Sequence, residues 1–406
     1  MDAAFLAREA ETILRRLCLD LPTRATGTPG NRAATDFFAA EAARRGFAVE
    51  QPAFDCLGWT CQSAALSAGA QSFEVFAGPF SPALTARAEL AVAATLSDLE
   101  TANAAGKFLL LVGDLAREPL VPRNYPFYNV DEHQAIYRQL DRLAPLAVFG
   151  APPPNQAAYG GLYPLPLIED GDFTLPTLFL SAEEGARLAA FAGQTLALDL
   201  RAQRHPARGC NVIARRGSGP RRLVFTAHID AKPGTPGALD NASGAATLLL
   251  LGSLLRDYPG PLTVELAALN GEDYYSAPGE LLYLKENEGR LNQIALAVNM
   301  DGLGGRGAPS AWSTYACPPA LEEAIRAALT GAPGLTPGEA WFAGDHMVFV
   351  MNGVPALALT SANMPELMGT LIHTAADRVE EVDLLRLGEA ALALRALVEQ
   401  VERAAL

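Results

Sequence analysis

Six residues in the second half of the chain have side chains that can bind a metal ion or transfer a proton. They are His228, Asp240, Glu272, Asp273, Asp301 and His373. Imidazole and carboxylate groups are ligands that suit Zn²⁺, and five of them can hold two ions if one carboxylate bridges the pair. The sixth residue, Glu272, is then left over for proton transfer. The set predicts a hydrolase with two metal ions.

Nearly unbroken apolar runs precede most of these residues. Such runs are typical of parallel strands covered by helices on both faces, and ligand sites in open α/β sheets form at the carboxyl ends of such strands. We therefore expect an α/β fold with a central mixed, largely parallel sheet flanked by helices, and the residues at one edge of it. The runs and the candidate residues after them are 223–227 with His228, 264–269 with Glu272 and Asp273, 294–298 with Asp301, and 356–359 with the loop of His373.

Asp240 has a different setting, because it precedes a stretch of small residues and then a leucine-rich segment that extends to about Tyr258. This pattern places Asp240 at the N-terminus of a helix. Exposed N–H groups and the helix dipole there favour an ionised carboxylate, which is the form a bridging ligand must have. A simple N-cap is the alternative for Asp240 taken alone, and the other five residues favour the ligand.

Several short motifs succeed one another along the chain: Ala227-His228-Ile229-Asp230, Gly237 to Gly244, Asn270-Gly271-Glu272-Asp273, Asn299-Met300-Asp301, Gly344-Asp345-His346 and His373-Thr374-Ala375-Ala376-Asp377. Together they resemble the di-zinc aminopeptidases of the bacterial leucyl aminopeptidase and aminopeptidase Y type, whose relatives include glutamate carboxypeptidase II and glutaminyl cyclase. The resemblance covers most of the chain, and its specific part is 223–377. It implies a phosphorylase/hydrolase-like zinc exopeptidase fold and two Zn²⁺ per chain, with Co²⁺ or Mn²⁺ as other candidates.

The same resemblance implies a role for each candidate residue. Asp240 would bridge the two ions, and Glu272 would be the general base. The remaining ligands would divide between the ions, one site with His228 and Asp301, the other with Asp273 and His373.

Two residues depart from the family pattern. Most members have Glu-Glu where this chain has Glu272-Asp273. The shorter Asp side chain requires the strand end or the ion to shift by about one methylene's length, which affects the affinity for the second ion rather than the fold. Gly344 stands where many members have Ser.

Three further residues are candidates for supporting roles. Asp230 lies two residues after His228, on the same side of an extended chain, and could accept the proton of the second imidazole nitrogen. The alternative for Asp230 is a carboxylate that opens the adjoining turn. Asp345 is a candidate for binding the amino group of the substrate, by its position. His346 is expected near the substrate, with packing against Phe349 as the alternative.

The chain between about residues 52 and 203 differs in character from the rest. The segment 24–31 and the alanine-rich helix after it resemble the opening of the family, whereas 52–203 is similar to the protease-associated domain that many relatives carry as an insertion. We therefore expect a discontinuous zinc peptidase domain, 1–51 and 204–406, and an inserted domain, 52–203. A chain of 406 residues is long enough for both.

Composition limits which classes of partner and which cellular compartment we expect. A formal net charge of −14 without a long Lys/Arg cluster argues against nucleic acid. The sequence has no uncharged apolar run of about 18 residues, so we expect no transmembrane helix. The first residues form an acidic amphipathic pattern unlike a signal peptide. The five cysteines have no metal-type spacing and indicate free thiols. We expect a cytoplasmic protein that acts on a peptide or an amino-acid-derived substrate; nothing in the sequence indicates its oligomeric state.

One motif of another class has to be weighed. The segment 302–307 matches the dinucleotide pattern G-x-G-x-x-G and comes after a predicted strand. The residues after it do not open a helix, so no helix N-terminus would face a pyrophosphate. A flexible turn after Asp301 is the interpretation we favour.

The leading functional hypothesis is removal of the N-terminal residue of a peptide by water, with the metal ions activating the water and polarising the carbonyl and Glu272 transferring the proton. Two alternatives remain open. One is a single-zinc acyltransferase similar to glutaminyl cyclase, and the other is a non-catalytic binding protein of the same fold. Metal stoichiometry separates the three, since they predict two ions, one ion and none.

Overall fold

The computed structural model describes residues 1–21, 23–154 and 159–404. The chain forms two compact units, of which unit 1 comprises Met1–Cys56, Tyr159–Gly161 and Arg208–Leu406, and unit 2 comprises Leu57–Ala158 and Leu162–Ala207. The unit boundaries fall a few residues after the predicted 51/52 and 203/204, because two long strands, Ala53–Ala68 and Thr195–Cys210, run through them. The short segment Tyr159–Gly161 belongs to unit 1 although its neighbours in sequence belong to unit 2.

The described residues contain α-helices in both units. A short π-helical segment, Arg16–Asp20, and three 3₁₀ turns, Gly113–Ala116, Leu291–Gln293 and Val379–Glu381, accompany them, and Ala238–Ala242 is an irregular segment with non-helical backbone angles at Asp240 and Asn241. The α-helices are α1 Ala3–Arg15, α2 Pro29–Arg44, α3 Leu96–Thr101, α4 Asp131–Leu143, α5 Ala182–Ala189, α6 Ser243–Leu254, α7 Pro278–Glu286, α8 Pro319–Leu329, α9 His346–Val350, α10 Met364–Thr370 and α11 Leu384–Arg403.

The strands form one sheet in each unit. They are β1 Ala48–Glu50, β2 Ala53–Ala68, β3 Gln71–Phe73, β4 Phe76–Ala77, β5 Leu84–Ala93, β6 Phe108–Leu111, β7 Ala147–Gly150, β8 Thr177–Phe179, β9 Thr195–Cys210, β10 Val212–Arg216, β11 Arg222–His228, β12 Thr263–Leu269, β13 Ile294–Met300, β14 Ser310–Tyr315, β15 Leu335–Pro337 and β16 Ala356–Ser361.

The sheet of unit 1 has the order β1-β10-β12-β11-β13-β16-β14-β15. Its four central strands, β12, β11, β13 and β16, are parallel, and the antiparallel pairs β1–β10, β10–β12 and β14–β16 lie towards the edges. The predicted α/β fold with a mixed, largely parallel sheet is confirmed. The four apolar runs of the sequence are the four parallel strands, so their carboxyl ends meet at one edge.

Burial explains why apolar and polar residues do not alternate along these strands, as they do in a sheet with one exposed face. Every residue of β11, β13 and β16 is buried, and so is most of the leucine-rich helix α6, which packs against β11, β12 and β13. A strand covered on both faces has to be apolar throughout. The C-terminal helix α11 packs chiefly against other helices, namely α1, α6 and α8.

Unit 2 has its own sheet, in the order β3-β2-β9-β5-β6-β7-β8-β4. Strands β5, β6, β7 and β8 run parallel, while β3, β9 and β4 pair antiparallel with their neighbours. Two apolar clusters fill it, one around Phe108 and Phe149 and one around Leu109 and Tyr137. The unit therefore has a core of its own, as an inserted domain requires.

The sequence argued against a dinucleotide-binding motif and against a transmembrane helix, and the described residues bear on both. After 302–307 the chain enters strand β14 at Ser310, so no helix comes after the glycine-rich turn and the dinucleotide pattern is a turn. Within the same described ranges, no helix is both long and apolar enough to cross a membrane. The cysteines Cys18, Cys56, Cys61, Cys210 and Cys317 are all free thiols.

Candidate metal centre

The central strands deliver the candidate ligands to one edge of the unit 1 sheet. His228 is the last residue of β11, and Asp301 comes directly after β13. Glu272 and Asp273 come after β12 and a turn at Gly271, whose φ of 115° is a conformation that suits glycine. Neighbouring parallel strands end side by side, so residues distant in sequence come together here.

Asp240 lies at the same edge of the sheet but in a loop. The prediction that it stands at the N-terminus of a helix is wrong. Asp240 has φ −116° and ψ 93° inside the irregular segment Ala238–Ala242, and α6 begins only at Ser243 and ends at Leu254 rather than near Tyr258. The carboxylate therefore does not cap the helix. The backbone stays irregular because the carboxylate of Asp377 accepts the N–H groups of Leu239 and Asp240.

The Asp240 carboxylate lies between two imidazoles. Its Oδ1 is 3.1 Å from Nε2 of His228, and its Oδ2 is 3.1 Å from Nε2 of His373. Asp301 Oδ1 lies 3.6 Å from His228 Nε2, and Asp273 Oδ1 lies 3.3 Å from His373 Nε2. The side chains thus form two groups of three that share Asp240, with the ligand atoms of each group within 4.8 Å of one another.

The donor set fits two divalent ions. Both ring nitrogens of His228 and Oδ2 of Asp273 are buried and make no hydrogen bond within the described residues. Buried polar atoms without partners are costly, and Zn²⁺ accepts nitrogen and oxygen ligands in such positions. An ion in each group would satisfy atoms that the protein leaves unpaired.

Electrostatics keep the shared carboxylate charged. Burial alone would raise the pKa of Asp240, but the imidazoles of His228 and His373 outweigh it and hold that pKa far below its usual range. Conversely, burial opposes a charge on His228, while the carboxylates of Asp230, Asp240 and Asp301 raise its pKa well above the ordinary value. The centre is therefore rich in negative charge that cations can compensate.

Glu272 stands beside the two groups without belonging to either. Its Oε2 is 4.0 Å from His228 Nε2, and its side chain keeps 27% of its surface exposed. Desolvation raises the pKa of Glu272 well above its ordinary value, His228 opposes this, and the carboxylates of Asp301 and Asp273 add to it. A carboxyl group with a raised pKa can hold a proton near neutral pH and release it again.

Asp230 supports His228 from behind. Its Oδ1 lies 3.6 Å from Nδ1 of His228, and its Oδ2 accepts a hydrogen bond of 2.8 Å from the hydroxyl of Thr26. Thr26 lies in the N-terminal segment that resembles the opening of the family. The segment therefore fixes the carboxylate that faces the second nitrogen of His228.

Asp345 is buried, with only 2% of its surface exposed, which argues against direct contact with a substrate amine. Burial raises the pKa of Asp345 to about 7, and Glu280, on α7, is a second buried carboxyl group whose pKa burial raises, with Asp345 adding to the shift. Sequence reasoning missed Glu280, because a glutamate early in a helix is ordinarily exposed.

His346 packs against two aromatic side chains and belongs to neither ligand group. Its ring contacts those of Trp341 and Tyr315 at centroid distances of 4.4 and 4.7 Å, and its Nε2 lies 3.0 Å from the carbonyl oxygen of Trp341. Burial lowers the pKa of His346 to about 4. Its role in the geometry is to support Trp341, which packs against Gly344.

A buried arginine, the first residue of the segment 24–31, holds the loop between His228 and Asp240. Arg24 donates to the carbonyl oxygens of Ile229, Pro236 and Gly237 at 3.0, 2.7 and 2.7 Å. Guanidinium groups have several fixed donors, so one side chain can hold three points of a loop. Only the packed structure brings residue 24 to this loop.

Paired imidazole and carboxylate groups at the carboxyl edge of an α/β sheet form a candidate site for two divalent metal ions. Residues 211–398 match the model of Peptidase family M28. The match confirms the resemblance to zinc aminopeptidases and their relatives, and it covers every candidate ligand.

Individual relatives agree with this assignment. The "Probable lipoprotein aminopeptidase LpqL" of Mycobacterium tuberculosis is 26% identical over 294 residues, 69% of this chain and 55% of the relative, so the chain spans about half the length of that curated protein. An aminopeptidase from Aneurinibacillus sp. strain AM-1 superposes with TM-score 0.76 at 20% identity, covering 97% of this chain and 93% of that one. BSAP, a zinc aminopeptidase from Bacillus subtilis, gives 0.75 at 21%, covering 97% and 94%. The two structures share the fold of this chain.

Proposed function

We propose that the chain is a metallo-aminopeptidase that hydrolyses the N-terminal residue from peptides at a dinuclear zinc centre. The observation that carries the proposal is the carboxylate of Asp240, 3.1 Å from an imidazole nitrogen on each side. One carboxylate shared by two three-residue groups is the arrangement that two ions need. The names of the zinc aminopeptidase neighbours and the peptidase family match support the substrate class.

Each ion would have its own ligands beside the shared one. His228 and Asp301 would hold one, and Asp273 and His373 the other, with Asp240 common to both. When bound, such ions supply a Lewis acid for the peptide carbonyl and a water of lowered pKa. Asp273 Oδ1 lies 3.3 Å from Nε2 of His373, so an aspartate in place of glutamate would still be able to share an ion with this imidazole.

Glu272 would move the proton. Its carboxyl group is partly exposed, lies 4.0 Å from His228 Nε2 and belongs to neither ligand group. Because its pKa is raised, it can take a proton from the attacking water and deliver it to the departing nitrogen.

The inserted part of the chain would correspond to a protease-associated domain, as its sequence suggests, and by that resemblance the enzyme would act on short peptides. A kinetic series of peptides of increasing length tests this. The cytoplasmic location suggested by the sequence and the free thiols stays a prediction, and the lipoprotein description of the mycobacterial relative points to export of that protein.

The deciding experiment is elemental analysis of the purified protein, run beside hydrolysis of aminoacyl chromogenic substrates with and without added Zn²⁺. Two ions per chain and zinc-dependent release are expected. One ion with cyclisation of N-terminal glutamine would instead favour the glutaminyl cyclase-like acyltransferase. Absence of both metal and turnover would favour the non-catalytic protein.

A further inference from the structure

A three-residue segment from the middle of the chain lies against the loop that carries His373. Tyr159, Gly160 and Gly161 belong to unit 1, although unit 2 residues flank them in the sequence. The N–H of Gly161 donates to the carbonyl oxygen of Ile372 at 2.9 Å. The carbonyl oxygen of Tyr159 lies 3.4 Å from Nδ1 of His373. The segment thus contacts both the backbone and the ring of the histidine loop.

We propose that Tyr159–Gly161 is a positioning element for His373, which orients the imidazole by accepting the proton of Nδ1 and so directs Nε2 towards Asp240 and Asp273. A carbonyl oxygen can only accept, so Nδ1 has to be the donor and the metal-facing nitrogen is Nε2. The inference rests on the proposed function, because it treats His373 as a ligand. Outer partners of this kind fix the ring of ligating histidines.

The two glycines are what allow the approach. At Gly160, with φ 70°, an added Cβ would lie 2.5 Å from the carbonyl oxygen of Ile372 and 3.0 Å from Nδ1 of His373. At Gly161 an added Cβ would lie 2.8 Å from the Thr374 methyl group. Side chains at either position would push the segment away from the loop.

His373 needs such support because its own backbone is unusual. It has φ 61°, a left-handed conformation that is unfavourable for a residue other than glycine. The ring is also only partly buried, with 21% of the side chain exposed. By contrast, His228 sits at the end of a fully buried strand with 2% of its side chain exposed. One ligand histidine is held by the sheet and the other by the segment.

The test compares Gly160→Ala with Gly289→Ala. Gly289 has φ 71° and open space around its Cβ position, so this control has the same backbone penalty without the contact. Zinc titration of metal-free protein by calorimetry should show one of the two ions binding 10- to 100-fold more weakly in Gly160→Ala, and both ions unchanged in Gly289→Ala. Gly161→Ala, whose φ is not left-handed, should weaken the same ion and guards against misfolding of the first variant.

A second readout does not depend on zinc. In metal-free protein, amide hydrogen exchange by mass spectrometry should be faster in a peptide that contains the Gly161 amide in Gly160→Ala than in the wild type or Gly289→Ala, because the N–H of Gly161 loses its acceptor, the carbonyl oxygen of Ile372. If the variant shows this faster exchange while the wild type binds no zinc, the positioning role stands and the proposed function is overturned. Unchanged exchange and unchanged zinc affinity in Gly160→Ala and Gly161→Ala would overturn the positioning role.

Discussion

Asp377 holds the backbone of Asp240. One carboxylate oxygen of Asp377 accepts the N–H of Leu239 at 2.7 Å and the other accepts the N–H of Asp240 at 3.1 Å. Asp377 lies four residues after His373 and is fully buried. The loop of one candidate ligand therefore fixes the loop of the ligand shared by both groups.

Replacing Asp377 with Asn should weaken the binding of both ions, because the NH₂ of the amide would face one backbone N–H and leave that N–H without an acceptor. The expected cost is about 1–3 kcal/mol in the free energy of unfolding and a loss of zinc affinity of roughly 10- to 100-fold. Calorimetric zinc titration and chemical denaturation measure the two effects. Asp383→Asn is the matched control, since Asp383 accepts the N–H of Leu385 at the start of α11, away from the centre. Equal zinc affinity in the two variants would contradict the role of Asp377.

Glu272→Gln should keep both ions and lose turnover. The amide has the shape of the carboxyl group but cannot carry the proton, so kcat is expected to fall by about 10²- to 10⁴-fold at nearly constant zinc content. Elemental analysis and steady-state kinetics on an aminoacyl substrate check this, with Glu323→Gln on the exposed side of α8 as control. Activity close to that of the wild type would remove Glu272 from the mechanism.

Gly344→Ser, which restores the residue of many relatives, should be unfavourable here. Gly344 has φ 101°, and an added Cβ would lie 3.0 Å from the indole of Trp341 and 3.2 Å from Oδ2 of Asp301. We expect the free energy of unfolding to fall by about 1–3 kcal/mol from the backbone conformation, and zinc affinity to fall as Asp301 is displaced. Gly353→Ser, at φ 75° with open space around it, should show only the first effect. Wild-type zinc affinity in Gly344→Ser would show that Trp341 yields instead.

The burial of His346 predicts a pH dependence of stability. Its pKa falls from 6.5 to about 4 on folding, so between these values the unfolded chain binds more protons and the free energy of unfolding rises with pH. The full effect is about 3 kcal/mol. In His346→Gln, which can still donate to the carbonyl of Trp341, denaturation of metal-free protein at about pH 4.5 and about pH 7 should show a smaller difference than in the wild type. An equal difference in both proteins would assign the pH dependence to other groups.

The candidate ligands at the ends of strands could be predicted, because the signal that marks them lies in the neighbouring sequence. A strand buried on both faces must be apolar, and a polar residue at its carboxyl end stands out, as His228 and Asp301 do. Glu272 and Asp273 are found in the same way after β12.

The loop-borne part could not be predicted from local pattern. Small residues after Asp240 indicated a helix start at Asp240, but the backbone N–H of Asp240 donates to a carboxylate 137 positions later and the backbone is irregular there. The bonds of Arg24 to the loop before Asp240, and of Tyr159 to His373, likewise join residues more than 200 positions apart. Such contacts depend on tertiary packing and leave no periodic signal in the sequence.

The packing of α1 against α11 sets an order for assembly during synthesis. The apolar side of α1, with Leu6, Ala10, Ile13 and Leu14, is covered by a helix that is translated long after it. Domains fold as units as the chain emerges, and the unit 2 sequence is complete at Ala207, before the first candidate ligand is made. The apolar side of α1 therefore stays without its C-terminal partner until residues 384–403 have been made, and completion of the unit 1 core is a late, long-range event.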